Sequence, residues 1–191
     1  MEPAQPAPIA AFKEAVRRRA GSLKPYQMAA ADFDVGFITP ILNYAAQSLS
    51  NGNFSNWSDY MADIQPVLSI RVTPKMVESL LAKVARGAAS TQGMAVPAIK
   101  HLKSGFNRLR AFCGTTEVQP IHPFKLELRR SETDTVYEGL YLFDPAALGP
   151  QCGTVTLGLF SEKQPEKEDT RVVDPKILQQ IWRDLGLDAS R

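Results

Sequence analysis

The stretch Phe37-Ile38-Thr39-Pro40 introduces the pattern that decides the expected fold, because the chain repeats it three more times. The later copies are Arg71-Val72-Thr73-Pro74, Leu142-Phe143-Asp144-Pro145 and Val172-Val173-Asp174-Pro175. Thr and Asp are favourable N-caps, because their side-chain oxygen accepts a hydrogen bond from the first turn of a helix. Proline suits the next position, where its missing N–H is not needed. Each copy therefore predicts a strand that turns directly into a helix.

The N-terminal half is predicted to be rich in helices. Strands are expected at 33–38 and 66–72, and each Thr-Pro pair is expected to begin a helix, the first ending near residue 50 and the second at Gly87. Because these two strand–helix units lie 34 residues apart, they are compatible with a right-handed crossover between parallel strands. Apolar spacing predicts further helices at 9–20 and 97–112.

The C-terminal half is predicted to be rich in strands. Lys125–Arg130 and Val136–Phe143 flank a polar segment and predict a β-hairpin, and 154–160 predicts a third antiparallel strand. Asp144-Pro145 predicts a brief helical turn, whereas Asp174-Pro175 predicts a terminal helix. We therefore expect an α+β fold, in which a helix-rich N-terminal half packs on a mixed, mostly antiparallel sheet from the C-terminal half.

Length and composition favour one domain. The chain has 191 residues, of which 44% are hydrophobic and 22% charged, and this is enough for one sizeable core. We expect a flexible Pro/Ala linker at residues 1–8 and a single α+β domain at residues 9–191. No apolar stretch approaches the roughly 20 residues that cross a bilayer, and no signal-peptide pattern begins the chain, so a soluble protein without a membrane span is expected.

Cys113 and Cys152 are the two cysteines of the chain, and they leave its compartment open. A bond between them would close a loop of roughly 40 residues and stabilise the fold by about 4 kcal/mol. Two buried thiols in a cytoplasmic protein are the alternative interpretation. We therefore expect a cytoplasmic protein if the cysteines are free, and an extracytoplasmic one if they are bonded.

Three residues close in sequence are the candidates for catalysis. Cys113, Glu117 and His122 supply a thiol, a carboxylate and an imidazole, which are the parts of a nucleophilic site. The predicted position of Cys113, at the C-terminal end of a helix, disfavours a thiolate. With His101 and His122 as the only histidines, no metal site is expected. Because the chain has no Walker sequence and no G-x-G-x-x-G sequence, no cofactor is expected either.

Two regions are candidates for binding. Trp57 and Tyr60 lie in a polar loop, where aromatic side chains either pack into a small core or form a contact site. The predicted helix at 97–112 carries basic residues, among them Lys103 and Arg108, that could contact nucleic acid or an acidic partner. A net charge of +2 is too small to imply a polyanionic partner, so nucleic acid is not the expected one.

The leading functional hypothesis is a non-catalytic binding or accessory module that engages another macromolecule or belongs to a larger protein. It depends on the linker-like start, on the lack of a catalytic motif and on the aromatic loop. A small hydrolase or transferase that uses Cys113 and His122 is the alternative, so the sequence leaves enzymatic activity undecided. Nucleic-acid binding through 97–112 is the second alternative. A protein partner is possible, and the oligomeric state is left open.

Overall fold

The polypeptide forms mainly antiparallel β-structure. A computed structural model describes residues 26–43, 67–91, 97–98, 100–131, 134–185 and 187. Its strands are β1 (Gln27–Ala29), β2 (Phe33–Ile38), β3 (Leu68–Pro74), β4 (Met76–Glu78), β5 (Lys100–Leu102), β6 (Phe106–Cys113), β7 (Thr116–Val118), β8 (His122–Ser131), β9 (Asp134–Phe143), β10 (Val155–Ser161) and β11 (Glu168–Val172). Its helices are α1 (Leu80–Thr91) and α2 (Pro175–Asp184), and 3₁₀ turns lie at Pro145–Leu148 and Pro150–Cys152.

Two large sheets enclose the core. One has the strand order β1-β2-β3-β9-β8 and the other the order β11-β10-β6-β7, while β4 and β5 pair separately as a two-stranded ribbon. Side chains alternate along each strand, so every second residue faces inward. The inward residues of both sheets form one cluster with the buried face of α2, and its largest fully buried members include Phe33, Phe37, Ile70, Phe106, Phe143, Leu157, Leu159 and Ile181.

Phe106 joins the two large sheets at the centre of this core. Its ring is fully buried and packs edge to face against Phe33 and Tyr141 of the opposite sheet, with centroid distances of 5.9 and 5.8 Å. β9 carries Gly139 at the point of closest approach, where a Cβ atom would lie 2.4 Å from Cε1 of Phe106. The missing side chain at this position therefore sets how closely β6 and β9 can approach.

The prediction of an α+β fold with a helix-rich N-terminal half is wrong. The described part of that half contains β1 to β4, and β2 pairs with β3 in antiparallel orientation, so the expected crossover between parallel strands does not form. The structure is instead mostly β, with three antiparallel sheets and few short helices. The predicted linker at 1–8 and the predicted helix at 9–20 lie outside the described residues.

The proline pattern predicted three of its four sites correctly. Asp144 and Asp174 are N-caps, since their carboxylates accept from the N–H groups of Ala146 and Lys176 at 2.9 and 2.8 Å. Thr39 also acts as a cap, because residues 40–43 are helical and its Oγ1 accepts from the N–H of Leu42 at 3.3 Å. At Thr73-Pro74 the prediction is wrong: both residues belong to β3, and the Thr73 hydroxyl donates to Glu138 on the sheet face instead of capping a helix. The helix begins later, at Leu80.

The predicted helix at 97–112 is also wrong, because this segment forms β5 and β6. A β-bulge accounts for part of its helical spacing. Ser161 pairs with Phe106 and Phe160 with Arg108, so Asn107 is an extra residue in β6. The bulge places Phe106 and Leu109 on the same buried face although they are three residues apart. The predicted hairpin is confirmed as β8–β9, whereas the third antiparallel strand, β10, belongs to the other large sheet.

Candidate binding surface

Among the described residues, the most exposed large apolar side chains lie in the segment between β3 and β6. We call residues 75–103 the projection; its described part consists of β4, α1 and β5. β4 and β5 pair with each other, with Met76 opposite Leu102 and Glu78 opposite Lys100. α1 follows directly after β4, where the Ser79 hydroxyl accepts from the N–H of Ala82 at 3.1 Å. The projection therefore has its own small hydrogen-bonded framework outside the two large sheets.

α1 presents its large apolar side chains to solvent. Leu80 and Leu81 are each 81% exposed and Val84 is 69% exposed, while no residue of α1 is buried. The half-buried positions of α1 are Ala82 and Ala89, which lie on the side of the helix away from the leucines. The large apolar residues of α1 therefore do not face a core, as those of a surface helix usually do. We call Leu80, Leu81 and Val84 the apolar face of α1; Met76 of β4 is 55% exposed as well.

Two lysines fasten the base of the projection to the β1–β2 turn. The Lys75 ammonium donates to the carbonyl of Ala30 at 2.6 Å and lies 3.8 Å from the Asp34 carboxylate. The Lys103 ammonium donates to the carbonyl of Ala31 at 3.0 Å and lies 2.7 Å from Asp32. A backbone hydrogen bond from Lys103 to the carbonyl of Lys75 closes the base at 2.9 Å. These contacts, which we call the clasp, hold the projection at both ends.

The projection is strongly basic. It contains five Lys and Arg residues against one acidic residue, which is a formal net charge of +4 in a chain of net +2. Arg86 binds that acidic residue, Glu78, through two nitrogen–oxygen contacts of 2.9 and 2.8 Å. This hydrogen bonding lowers the pKa of Glu78 and raises that of Arg86, so both stay charged near neutral pH. Lys83 lies on α1 itself and is exposed. Lys83 lies one turn from Leu80 and therefore places a positive charge beside the exposed apolar residues of α1.

Each of the three residues proposed for catalysis has its own contacts in the structure. Cys113, at the end of β6, forms a disulfide with Cys152, so its sulfur is not a thiol in this form. Glu117 in β7 pairs with Arg110 at 2.6 Å, and this hydrogen bond lowers the pKa of Glu117. His122 lies in β8, in the other large sheet, with its ring 5.8 Å from that of Phe124. The catalytic role of these residues stays a prediction.

The proposed binding residues are dispersed. Lys103 takes part in the clasp at the base of the projection, and Arg108 lies in β6 with its guanidinium 4.2 Å from the ring centroid of Phe160. Because 97–112 is not a helix, no basic helical face joins these two residues. Trp57 and Tyr60 lie outside the described residues. Within the described ranges, no group of three or more His, Cys, Asp or Glu side chains could hold a metal ion.

A polar cleft of about 610 Å³ lies next to the clasp. It is lined by acidic and basic side chains that include Asp32, Lys103, Lys163, Glu168 and Asp169. Several of them pair with each other or with nearby groups, as Lys103 does with Asp32 and Asp169 with Arg171, each at 2.7 Å. None of the residues proposed for catalysis lines this cleft. The cleft therefore brings no support to the enzyme hypothesis.

The sequence predicted α1 but not the exposure of its apolar residues. The spacing of Leu80, Leu81 and Val84 predicts an amphipathic helix, and the ordinary interpretation places such a stripe in the core. The one signal that could have indicated exposure is local charge, since residues 75–103 carry a net +4. Neither of the described helices is long and apolar enough to cross a membrane. The Cys113–Cys152 disulfide is compatible with an extracytoplasmic location.

Comparisons with known proteins supply no function. No protein-family model matches the chain, and no curated protein matches it. Among solved structures, the chain is similar to a novel protein of unknown function from Burkholderia pseudomallei K96243. The two share 11% sequence identity and a TM-score of 0.44, with 98% of this chain and 99% of the other covered. The function must therefore be argued from the surface of this protein.

Proposed function

We propose that this protein is a non-catalytic binding module that docks onto another protein through the projection. The observation that carries the proposal is the 81% exposure of both Leu80 and Leu81 in a helix that has no buried residue. Full burial of one leucine side chain contributes roughly 1.5–3 kcal/mol, so a partner that covers both gains substantial free energy. Exposed apolar side chains clustered in this way are typical of interaction sites.

The charges around the apolar face indicate the chemistry of the partner. The projection carries a formal net charge of +4, which Asp32 and Asp34 partly offset at its base, and the remaining positive charge favours a surface that carries Asp and Glu residues. Leu80, Leu81 and Val84 lie within the first two turns of α1, and this arrangement fits anchors that insert into an apolar groove. The expected partner is therefore a protein with an apolar groove bordered by carboxylates.

A membrane surface fits α1 less well than a protein does. Helices that lie in a bilayer interface usually carry apolar and aromatic residues along their whole length. α1 has no aromatic residue, and beyond Val84 it contains Ala, Arg, Gly, Ser and Thr. Its apolar face is therefore short and suited to a local pocket. The disulfide supports an oxidising compartment as the place where this binding occurs.

Site-specific photo-crosslinking tests the proposal in cells that produce the protein. A photoreactive residue replaces Leu81, and in a control variant it replaces Val172, which is also apolar and 63% exposed but lies on β11. We expect a discrete adduct at position 81 that is absent at position 172. The captured protein is then identified by mass spectrometry, and the complex is reconstituted from purified components.

The reconstituted complex provides the quantitative test. We expect the double variant L80A/L81A to weaken binding at least tenfold, since such anchors dominate interface energies. K83E should slow association in a salt-dependent way. Equal crosslinking at positions 81 and 172, or an affinity of L80A/L81A within twofold of wild type, would contradict the proposal. Binding of the purified chain to anionic vesicles in place of a protein would also contradict it.

A further inference from the structure

β8 is a long strand at the edge of a sheet. Among the residues that the structure describes, β8 pairs with β9 alone, and no described strand lies along its other side. It has ten residues, whereas the edge strands β1 and β7 have three each and β11 has five. An edge strand exposes backbone donors and acceptors that can pair with another chain, and proteins usually limit this exposure by keeping such strands short. β8 is not limited in that way.

Apolar side chains line one face of this edge. Phe124 is 44% exposed and Leu126 is 38% exposed, and both lie on the outer face of the five-stranded sheet. Lys125 and Glu127 alternate with them on the opposite face. The edge therefore offers backbone groups, apolar area and one charge of each sign within four consecutive residues.

The order of these residues makes β8 complementary to itself. If two copies of β8 pair in antiparallel orientation about a two-fold axis at Leu126, the two Leu126 residues lie opposite each other. The same register places Lys125 opposite Glu127 of the second copy, and Glu127 opposite Lys125. Opposite charges in directly facing positions stabilise an antiparallel pair.

Pro123 agrees with this register. Proline has no N–H to give to a strand ladder, so it limits where a second strand can pair. Pairing centred on Leu126 needs only residues 124–128 of each copy, and Pro123 lies just outside that range. A register moved further toward the start of β8 would include the proline and lose the facing charges.

We propose that two copies of this chain associate through β8, in antiparallel register about Leu126, so that their five-stranded sheets join into one. The interface is separate from the projection, because the projection forms its own ribbon outside both large sheets. Dimerisation would present two copies of the apolar face on one assembly. A partner with two binding sites could then bind both, with a gain in avidity.

Analytical ultracentrifugation of the full chain tests this proposal. We expect wild type to sediment as a dimer at about 100 µM, where an association of micromolar strength is largely complete. K125E and E127K each place like charges opposite each other at two symmetry-related positions. Each should weaken the dimer roughly 10- to 30-fold. L81A serves as the control and should leave the dimer unchanged, so failure of this proposal is distinguishable from failure of docking through α1.

Mixing the two charge variants gives the decisive result. A chain with K125E and a chain with E127K have complementary charges at every facing position, so their mixture should form a heterodimer tighter than either homodimer. A monomeric wild type, unchanged dimers in both variants, or no heterodimer on mixing would each overturn the proposal.

A cysteine variant provides a readout that does not depend on the charge variants. L126C places two thiols opposite each other at the two-fold axis, and oxidation should link two chains covalently. V172C is the matched control on β11 and should remain unlinked. Equal linking of the two variants, or none in L126C, would overturn the proposed register.

Discussion

Replacing Gly139 by alanine should destabilise the protein through one defined clash. The added Cβ would lie 2.4 Å from Cε1 and 2.6 Å from Cζ of Phe106. That ring is fully buried and is held by Phe33 and Tyr141 at centroid distances of 5.9 and 5.8 Å, so it has no free space to enter. Overpacking of this kind costs about 1–3 kcal/mol of unfolding free energy. For a chain of this size, each kcal/mol lowers the Tm by roughly 2–4 °C.

Gly36 is the matched control for this substitution. It lies in β2, and a Cβ built there meets nothing within 4 Å. Because glycine in a strand carries an entropic cost of roughly 0.5–1 kcal/mol relative to alanine, G36A should be neutral or slightly stabilising. Urea unfolding of both variants, followed by circular dichroism, measures the difference. A G139A protein as stable as G36A would refute the close packing of β6 against β9.

Three further substitutions test other parts of the structure. C113S/C152S should lower the unfolding free energy by about 4 kcal/mol, because it removes the disulfide. A thiol reagent should find no free thiol in wild type that is unfolded without a reductant. Two free thiols would contradict the disulfide. The Arg71 guanidinium lies 2.7 Å from the buried Glu138 carboxylate, so R71M should lower the unfolding free energy by about 1–3 kcal/mol. The double variant R71M/E138M should recover much of that loss. An R71M protein as stable as wild type would contradict the pairing. Burial raises the pKa of Tyr141, so above pH ~10 this phenol ionises in the unfolded state before it does in the folded state. Wild type should therefore lose stability relative to Y141F as the pH rises above that value. Parallel curves of stability against pH for the two proteins would argue against burial of the phenol.

Local signals predicted local structure well. The Asp-Pro pairs at 144 and 174 were correctly interpreted as helix starts, because an N-cap requires only the cap residue and the next turn of chain. The β8–β9 hairpin was found for the same reason, since its two strands are adjacent in sequence. Such features depend on residues that lie within a few positions of each other.

The features that were not predicted from the sequence depend on contacts between residues that are distant in sequence. Thr73-Pro74 has the same local chemistry as Thr39-Pro40, but Pro74 pairs opposite Phe33 and Thr73 binds Glu138, which lies 65 residues further along the chain. In β6 a bulge at Asn107 imitates helical spacing, and only the pairing with β10 reveals it. The exposure of Leu80 and Leu81 likewise depends on how α1 lies relative to residues that are distant in sequence. No local pattern contains that information.

The proposed docking surface depends on the exposure of α1, and the unfolding free energy of L81A tests that exposure most directly. Leu81 is 81% exposed, so its truncation should change the unfolding free energy by no more than about 0.5 kcal/mol. L157A is the matched comparison at a fully buried leucine, where a loss of about 2–5 kcal/mol is expected. Urea unfolding of wild type, L81A and L157A gives both values. If L81A loses as much stability as L157A, Leu81 belongs to the core, and α1 cannot be the docking surface.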